Sequence, residues 1–379
     1  MKTKQYLLNA SRRLNPSLPD SDASVGLVLV FGSRPLLDQE LAGLNLAGRF
    51  PSALITGCST SGEIRDTEVT DETMVITTIS ADHCRFYGTT ADIRHFGSSA
   101  DAGESLIAAL PKEGLRHVFV LSDGLNVNGS ELVRGLNRLL PSGVSVTGGL
   151  AGDSDRFETS RVIWNGLPHN HLIAAVGWYG EPLKIGYGSL GGWDPFGPER
   201  VVTRSAGNKL YDLDGRNALN IYKTYLGEQA NHLPGSALLF PLSLKLTLSA
   251  KPVVRTVLSI DETDQSMTFA GDVPVGAYTQ MMKANFDRLI DGASGAAEAA
   301  STGSLQGTEP ELAILISCVG RKMVLGQRIE EEVEAVRDTL GLSTTLTGFY
   351  SYGEISPFTP DATCELHNQT MTITTFSER

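Results

Sequence analysis

The chain has 379 residues, 41% of them hydrophobic and 20% charged, which is enough for two globular domains with apolar cores. Its 31 Lys and Arg against 43 Asp and Glu leave a net charge of −12 with His neutral. An acidic chain is repelled by phosphate backbones and by anionic lipid surfaces, which argues against nucleic-acid and membrane partners.

Strands and helices alternate in the first part of the chain. Continuous apolar runs at 24–31, 52–60, 116–124 and 144–153 predict buried parallel strands. Leucines at helical spacing predict a helix from Pro35 to about residue 49, and a second helix is predicted at 130–140. Residues 73–80 and 84–93 carry alternating polar side chains and are predicted to form an antiparallel pair.

The rest of the chain is richer in strands. The sequence predicts mostly β-structure at 156–190, hairpins at 199–213 and 252–271, and a helix at 216–229 between them. A helix at 284–290 is expected to lead into small and polar residues at 291–310, which are predicted to be mobile. Strands at 311–320, 344–357 and 369–378 and a helix at 323–340 complete the prediction.

An internal repeat is the most informative feature of the sequence. Gly57, Gly62, Glu63 and Ile64 correspond to Gly348, Gly353, Glu354 and Ile355, and the segment at 73–80 matches that at 370–377 except at two positions. Residues 117–180 follow the same plan with more divergence. The pattern predicts βαββ units whose Gly-rich strand ends meet around a shared ligand cleft.

The first Gly-rich strand end, residues 57–64, has side chains that suit a polar cradle for a small ligand. Cys58, Ser59, Thr60 and Glu63 are therefore predicted on one wall of the cleft. The alternative is a tight turn satisfied by its own hydroxyl groups. Cys58 could act as a nucleophile only beside a base, and the sequence identifies no His partner for it.

The equivalent segment near the C-terminal end supplies the other wall. Tyr350 and Tyr352 are predicted on one face, where their rings would suit a flat or apolar ligand or an ordinary core edge. Arg321 is expected at the mouth of the cleft, either binding a ligand carboxylate or pairing with Glu63 or Glu354. Those two Glu could also form a carboxylate pair for acid–base chemistry.

The seven His have no spacing typical of a metal site, and the four Cys form no CxxC pair. A single His could still bind haem iron, and His232, His169 and His171 are the candidates. The thiols predict a reducing compartment, and the apolar run at 6–8 is too short for a signal peptide. No segment carries the ~20 apolar residues of a membrane span, so a cytoplasmic location is predicted.

Several of these motifs together resemble one family. GCSTSGEI and GGLAGD are similar to the FIST N-terminal domain, while SCVGRKMVLG, GFYSYGEISP and HNQTMTITTF are similar to the FIST C-terminal domain. The resemblance implies an α/β fold of mixed α+β type, with repeated βαββ units in two mixed-sheet FIST domains around a ligand cleft. It places an extension at 1–24, the N-terminal domain at 25–215 and the C-terminal domain at 216–379.

The resemblance also implies a function. FIST proteins are sensory modules that bind small ligands, proposed to include amino acids, and a stand-alone branch binds haem and senses nitric oxide. Their partners are histidine kinases or cyclic-di-GMP enzymes, which this chain would regulate in trans. The sequence leaves open whether the chain forms a homodimer. A haem sensor of nitric oxide is slightly favoured over an amino-acid or metabolite sensor.

Two rival hypotheses belong to other classes. The chain could be an enzyme that uses Cys58 or the pair formed by Glu63 and Glu354. It could also be a scaffold without a ligand, which an occluded and wholly apolar centre between the repeats would favour.

Overall fold

The computed structural model describes residues 1–233, 235–247, 251–302, 309–358 and 362–378. It confirms a mixed α/β fold made of repeated βαββ units. Three repeats surround one centre, and each repeat builds most of one sheet. A fourth sheet belongs to an inserted domain, residues 194–283, which interrupts the third repeat. We call the three repeats together the central body.

The first repeat spans residues 2–80. Its elements are β1 (Lys2–Leu8), β2 (Leu14–Asn15), β3 (Leu27–Gly32), α1 (Arg34–Glu40), α2 (Leu46–Arg49), β4 (Leu54–Ser59), β5 (Glu63–Arg65), β6 (Glu68–Thr70) and β7 (Met74–Ser80). The helix predicted from Pro35 is broken, since a 3-10 turn at Ala42–Leu44 separates α1 from α2 and Asn45 has a left-handed backbone. β1 lies within the predicted extension and pairs with β7.

The second repeat spans residues 85–179. Its elements are β8 (Arg85–Asp92), α3 (Ser99–Ala109), β9 (Leu115–Ser122), α4 (Gly129–Leu139), β10 (Ser145–Leu150), β11 (Val162–Trp164), β12 (Leu167–His169) and β13 (Leu172–Tyr179). The predicted pairing of 73–80 with 84–93 is wrong. β7 lies between β1 and β3, whereas β8 pairs with β13 in a different sheet, because the chain enters a new repeat between them.

The third repeat begins with β14 (Leu183–Leu190) and resumes after the inserted domain. The inserted domain contains β15 (Asp194–Ala206), β16 (Lys209–Leu213), β17 (Arg216–Asn217), α5 (Ala218–Leu226), β18 (Leu242–Lys245), β19 (Val253–Arg255), β20 (Val257–Asp261), β21 (Ser266–Phe269) and β22 (Tyr278–Lys283). The resumed part contains α6 (Phe286–Thr302), β23 (Leu312–Cys318), α7 (Val319–Leu325), α8 (Ile329–Leu340), β24 (Thr345–Ser351), β25 (Gly353–Pro357), β26 (Cys364–His367) and β27 (Met371–Glu378).

Two further predictions in the third repeat are corrected. Residues 291–302 are not mobile, because α6 continues through them with four buried alanines, while 303–308 lie outside the described residues. The predicted helix at 323–340 is two helices, since Gly326 has φ +55° and ends α7. The domain boundary at 215/216 stays a prediction. β14, on the N-terminal side of it, pairs with β27.

The three sheets have one shared plan. Each has a parallel pair at its heart, β3–β4, β9–β10 or β23–β24, and the return strand β7, β13 or β27 pairs antiparallel with the first member. Each repeat then sends a hairpin into the next sheet of the ring. β5 pairs with β24, β25 pairs with β10, and β11 pairs with β4. The repeats are therefore interlocked rather than simply stacked.

Alternation along the parallel strands explains the layers. Leu27, Leu29 and Phe31 point to the centre, while Val28 and Val30 face the outer helices. Because successive side chains of a strand face opposite sides, strands covered on both faces are apolar throughout. The centre collects apolar side chains from all three sheets, including Phe119, Trp178 and Phe349.

One glycine is essential at the same place in each repeat. A Cβ at Gly57, Gly148 or Gly348 would lie 1.8–1.9 Å from a carbonyl oxygen of the neighbouring parallel strand. Only glycine allows that approach. The glycines that recur in the sequence thus hold each parallel pair together.

Candidate functional site

The Gly-rich strand ends do meet, as the repeat predicts. The crossover segments after β4, β10 and β24 hydrogen-bond to one another: Ser61 N donates to Tyr350 O at 2.8 Å, Gly152 N to Ser59 O at 2.8 Å, and Tyr352 N to Leu150 O at 3.1 Å. These backbone bonds seal the end of the apolar centre. The strand ends pack against one another instead of lining a common opening.

Cys58, Ser59 and Thr60 lie inside this seal, each at most 1% exposed. The Ser59 hydroxyl donates to Gly152 O at 2.6 Å and accepts from Arg161 N at 2.8 Å. Burial raises the pKa of the Cys58 thiol well above its ordinary value, and nearby Glu63 raises it further. Since the thiolate is the nucleophile, this environment disfavours covalent chemistry at Cys58.

Glu63 and Glu354 occupy matching environments in the first and third repeats. Glu63 accepts hydrogen bonds from the Thr60 hydroxyl and from the backbone and hydroxyl of Thr73. Glu354 accepts from the Ser351 hydroxyl at 2.9 Å and from the backbone and hydroxyl of Thr370. In each case the carboxyl group ties the crossover to the start of the return strand.

Both carboxyl groups are fully buried, and neither has an ion-pair partner among the described residues. Burial raises the pKa of Glu63 to about 7, although its hydrogen bonds to Thr60 and Thr73 oppose the rise. Burial likewise raises the pKa of Glu354 to about 8, opposed by hydrogen bonds from Ser351 and Thr370. Each group therefore holds its proton far more readily than an exposed Glu, and each is engaged by its own repeat.

The expectation that Arg321 pairs with Glu63 or Glu354 is wrong. Its guanidinium pairs with Glu332 of α8 at 2.6 Å, and it also donates to the carbonyl oxygens of Gly191 and Leu289. Tyr350 joins this buried network by donating to Glu332 at 2.7 Å. Both side chains are 0% exposed, because they point outward beneath the helices of the third repeat.

Tyr352 is the predicted ligand residue that the structure places on the wall of a cavity. Its ring stacks on Phe157, with centroids 4.4 Å apart and planes 13° apart. Its hydroxyl donates to Ser154 O at 3.1 Å and accepts from Phe157 N at 3.2 Å. Tyr350 and Tyr352 do not form a paired platform, since the chain crosses between two sheets at this point.

The cavity beside Tyr352, which we call the aromatic cleft, has a volume of about 330 Å³. It lies at the carboxyl ends of β9 and β10, between the central body and the inserted domain. Its lining side chains and backbone come from residues 124–129, Leu150, Phe157, Asn208, Leu258, 269–271 and Tyr352. The carboxyl ends of parallel strands are the usual ligand sites of α/β sheets.

The loop at 124–128 is held in place by Asp123. This buried carboxylate accepts from the backbone N–H groups of Leu125, Asn126 and His171 and from the Ser160 hydroxyl. Sequence reasoning missed Asp123, although an Asp directly after a buried strand and before Gly is a common loop organiser. The cleft wall is therefore preformed.

The inserted domain contacts the central body beside this cleft through Asp272. Asn128 Nδ2 and Arg134 Nη2 each donate to its carboxylate at 3.1 Å, and Asp272 N donates to the Ser130 hydroxyl at 3.2 Å. The contact lies at the N-terminal end of α4. It joins the inserted domain to the central body beside the cleft.

The three candidate haem ligands do not converge. His232 and His169 are exposed, on a 3-10 turn of the inserted domain and at the end of β12 respectively. His171 lies beyond that strand, where its backbone has φ +57°, so the two His do not lie on one face of a strand. Among the described residues, no group of three His, Cys, Asp or Glu side chains is placed to hold a metal ion.

Comparison with known proteins adds little at the level of whole structures. A solved structure described as a chorismatase is 11% identical to this chain, covers 99% of this chain and 98% of that one, and has a TM-score of 0.34. A similarity this low supports no argument about fold or function. No curated protein matches the chain. Within the described residues, no helix is both long and apolar enough to cross a membrane.

Family comparison is decisive. The model of the FIST N domain matches residues 26–216, and the model of the FIST C domain matches residues 218–357. Together these matches cover most of the chain, and they include the repeated Gly-Glu motifs and the inserted domain. FIST domains are sensory domains of signalling proteins. The chain belongs to the FIST family.

Proposed function

We propose that the chain is a non-enzymatic sensor that binds a small, uncharged ligand in the aromatic cleft and regulates a signalling partner in trans. The proposal rests on one observation: three large apolar side chains of this cleft are exposed. Leu125, Phe157 and Leu258 are 38–44% exposed, and all three line this one cleft. Apolar surface gathered in a preformed concavity is typical of a ligand site.

The lining of the cleft favours a particular class of ligand. It combines the Tyr352–Phe157 ring pair with the amide side chains of Asn126 and Asn208 and contains no charged side chain. Flat apolar rings stack well on such a pair. The amide nitrogens of Asn126 and Asn208 donate to Asp123 and to Phe269 O, and their amide oxygens are acceptors for a ligand. A free amino acid would bring two charges into a site that has no counter-ions, so a neutral metabolite with an aromatic or apolar core fits better.

The haem hypothesis fits this cleft poorly. Haem iron needs an axial ligand such as His, Cys, Met or Tyr, and the lining of the aromatic cleft contains no His, Cys or Met. Its Tyr352 is a poor candidate because the hydroxyl already donates to Ser154 O and burial raises its pKa. His232, His169 and His171 remain candidates only for a site elsewhere. Haem and nitric oxide therefore stay a prediction from the family resemblance, and the neutral metabolite is the proposal that the geometry supports best.

The enzyme alternative is weaker because the groups that the sequence offers for catalysis are engaged within the protein. Cys58, Glu63 and Glu354 are 0% exposed, and each of the two carboxylates accepts three hydrogen bonds from its own repeat. A general acid or base must reach the atom that it protonates or deprotonates. The scaffold alternative draws support from the apolar centre, but that centre is separate from the aromatic cleft.

A ligand in this cleft would touch both the central body and the inserted domain. Binding would favour the closed arrangement held by the Asp272 contacts and shift the population towards it. A partner that binds one of the two arrangements would then respond to the presence of the ligand. We infer from the family that the partner is a histidine kinase or a cyclic-di-GMP enzyme and that recognition takes place in the cytoplasm.

The test is a thermal-shift screen of the purified protein against neutral aromatic and apolar metabolites, followed by two cleft variants. A true ligand raises the melting temperature, and the rise is lost in Phe157→Ala and in Leu258→Ser, one from each side of the cleft. Leu342→Ser changes a leucine that is 90% exposed outside the cleft and is the matched control. Ligands that stabilise all three variants equally would refute the site, and conversion of a ligand on incubation would refute the non-enzymatic assignment.

A further inference from the structure

A second cleft lies on the other side of the Asp272 contact and differs in chemistry from the aromatic cleft. It has a volume of about 490 Å³ and is bounded by α4, β26 and strands β18 and β19 of the inserted domain. Its walls include Leu244, Leu246 and Phe358, and Arg255 lies at its inner end. We call it the Arg255 cleft.

Arg255 is a buried cation that has no ion-pair partner in the described part of the chain. It is 5% exposed, and the hydrogen bonds seen for it go to carbonyl oxygens: Nε donates to Asp272 O at 3.2 Å, and Nη1 donates to Val254 O at 3.2 Å and Leu366 O at 3.0 Å. Nη2 has no hydrogen-bond partner among the described residues. Within the same part of the chain, no carboxylate lies within ion-pair distance of this guanidinium.

Comparison with Arg321 shows what is missing. Arg321 is also buried, at 0% exposure, but Glu332 accepts from its Nε at 3.0 Å and from its Nη2 at 2.6 Å. A buried charge without a counter-ion is costly, and proteins therefore pair such groups. Burial lowers the pKa of Arg255 to about 10, although Glu365 and Asp272 act at longer range to raise it. The neighbouring carboxylates do not compensate for its burial.

The other charged groups of the cleft leave room for one negative charge. Arg134 already donates to the Asp272 carboxylate at 3.1 Å. Burial raises the pKa of Glu365, and nearby Arg255 opposes the rise. The lining of the cleft has three cations, Arg134, Lys251 and Arg255, against the two carboxyl groups of Asp272 and Glu365. Lys251 is exposed at the rim, and its Nζ lies 5.9 Å from the centre of the Phe358 ring. Like Arg255, it contributes a positive charge to the cleft.

From these contacts we propose that the Arg255 cleft binds a small organic monoanion, a carboxylate attached to an apolar body. The carboxylate would accept from the free Nη2 of Arg255 and from Lys251, and the apolar body would cover Leu246 and Phe358. Leu246 is 65% exposed, and burying it would add apolar contact area. A single guanidinium with an apolar wall suits a monoanion better than a phosphate dianion, which usually collects several donors.

The site would also stabilise the attachment of the inserted domain. Arg255 bonds to Asp272 within the inserted domain and to Leu366 of β26 in the central body, so an anion on its free nitrogen would hold both surfaces. This cleft shares none of its lining residues with the aromatic cleft, so the proposal does not depend on the neutral-ligand sensor proposed above.

The test compares 4-phenylbutyrate with its neutral amide, 4-phenylbutanamide, by isothermal titration calorimetry on the native chain. Charge-assisted hydrogen bonds are worth more than neutral ones, so the acid should bind about tenfold or more tightly than the amide. Arg255→Lys keeps the charge but removes the free Nη2, and it should reduce the preference for the acid. Lys251→Ala should weaken binding of the acid and leave binding of the amide unchanged. Lys184 is an exposed lysine on β14, and Lys184→Ala should change the binding of neither compound.

Equal binding of acid and amide by the native chain would overturn the proposal, as would an unchanged preference in folded Arg255→Lys. Inorganic phosphate binding more tightly than the acid would overturn the assignment to a carboxylate. If Arg255→Lys does not fold, the acid–amide comparison and Lys251→Ala decide. Phe157→Ala, which alters only the aromatic cleft, should retain the acid preference, so failure of one site is distinguishable from failure of the other.

Discussion

Replacing the two matched carboxyls, Glu63→Gln together with Glu354→Gln, should remove a large part of the pH dependence of stability. An unfolded Glu has an ordinary pKa of 4.5, whereas burial raises the pKa of Glu63 to about 7 and that of Glu354 to about 8. Between these values the folded chain keeps protons that the unfolded chain has lost. The stabilisation is therefore complete below pH 4.5 and is lost as the pH rises through about 7 and about 8.

The magnitude follows from the size of these pKa differences. Between about pH 5.5 and about pH 8.5, ionisation in the folded state costs roughly 2 kcal/mol at Glu63 and roughly 3 kcal/mol at Glu354. A Gln stays neutral and can still accept from the backbone N–H of Thr73 or Thr370. Over this pH range, the unfolding free energy of the double variant should therefore fall by about 5 kcal/mol less than that of the native chain.

Urea unfolding at the two pH values measures the effect. Burial lowers the pKa of His117 to about 3 and of His367 to about 4, so these groups have the opposite effect below their ordinary pKa of 6.5. Both His are present in the native chain and in the variant. Their contribution therefore cancels when the free-energy changes of the two proteins are subtracted. If both proteins lose the same free energy between the two pH values, the protonated burial of Glu63 and Glu354 is refuted.

The remaining predictions concern other parts of the fold. Glu332→Gln leaves Arg321 buried without its anion and should cost about 3–5 kcal/mol of unfolding free energy, measured by urea unfolding; a cost below about 1 kcal/mol would contradict the ion-pair assignment. Gly57→Ala would place Cβ 1.8 Å from Val30 O and should prevent folding, whereas Gly43→Ala, with nothing within 4 Å, should be tolerated, as circular dichroism and melting curves can show. If haem binds outside the aromatic cleft, protein expressed with haem available should show a stoichiometric Soret band that shifts with nitric oxide and is lost on substituting His232, His169 or His171; a native protein without the band would refute the haem hypothesis.

The repeat can be found from sequence because its members keep chemically demanding residues. Glycine is required where strands approach closely, and a Glu that accepts three hydrogen bonds cannot be replaced by a side chain of another length. Glu63 and Glu354 therefore align in the sequence itself, and the fold gives them equivalent partners. Their predicted role as walls of a ligand cleft is not supported in this way, because the sequence of a motif does not show whether its turn faces solvent or packs against a neighbouring turn.

The errors have physical causes as well. The small residues of α6 suggest mobility in the sequence, but Ala296 and Ala300 let the helix approach β14 so closely that a Cβ at Gly188 or Gly186 would clash with their carbonyl oxygens. Small residues thus mark tight packing here rather than mobility. The exchanged hairpins and the Arg255 cleft could not be predicted, since both join segments far apart in sequence and no local pattern encodes such pairings.

The hairpin that each repeat contributes to the next sheet also determines when the chain can complete its fold during synthesis. Ile64 in the first repeat pairs with Gly348 in the third, so the hairpin formed by β5 and β6 has no partner until β24 has been made. At roughly 5–20 residues per second, translation of the intervening chain takes on the order of tens of seconds. The first repeat must therefore wait with an unpaired edge, and the ring closes in one late event that joins the oldest and youngest parts of the nascent chain.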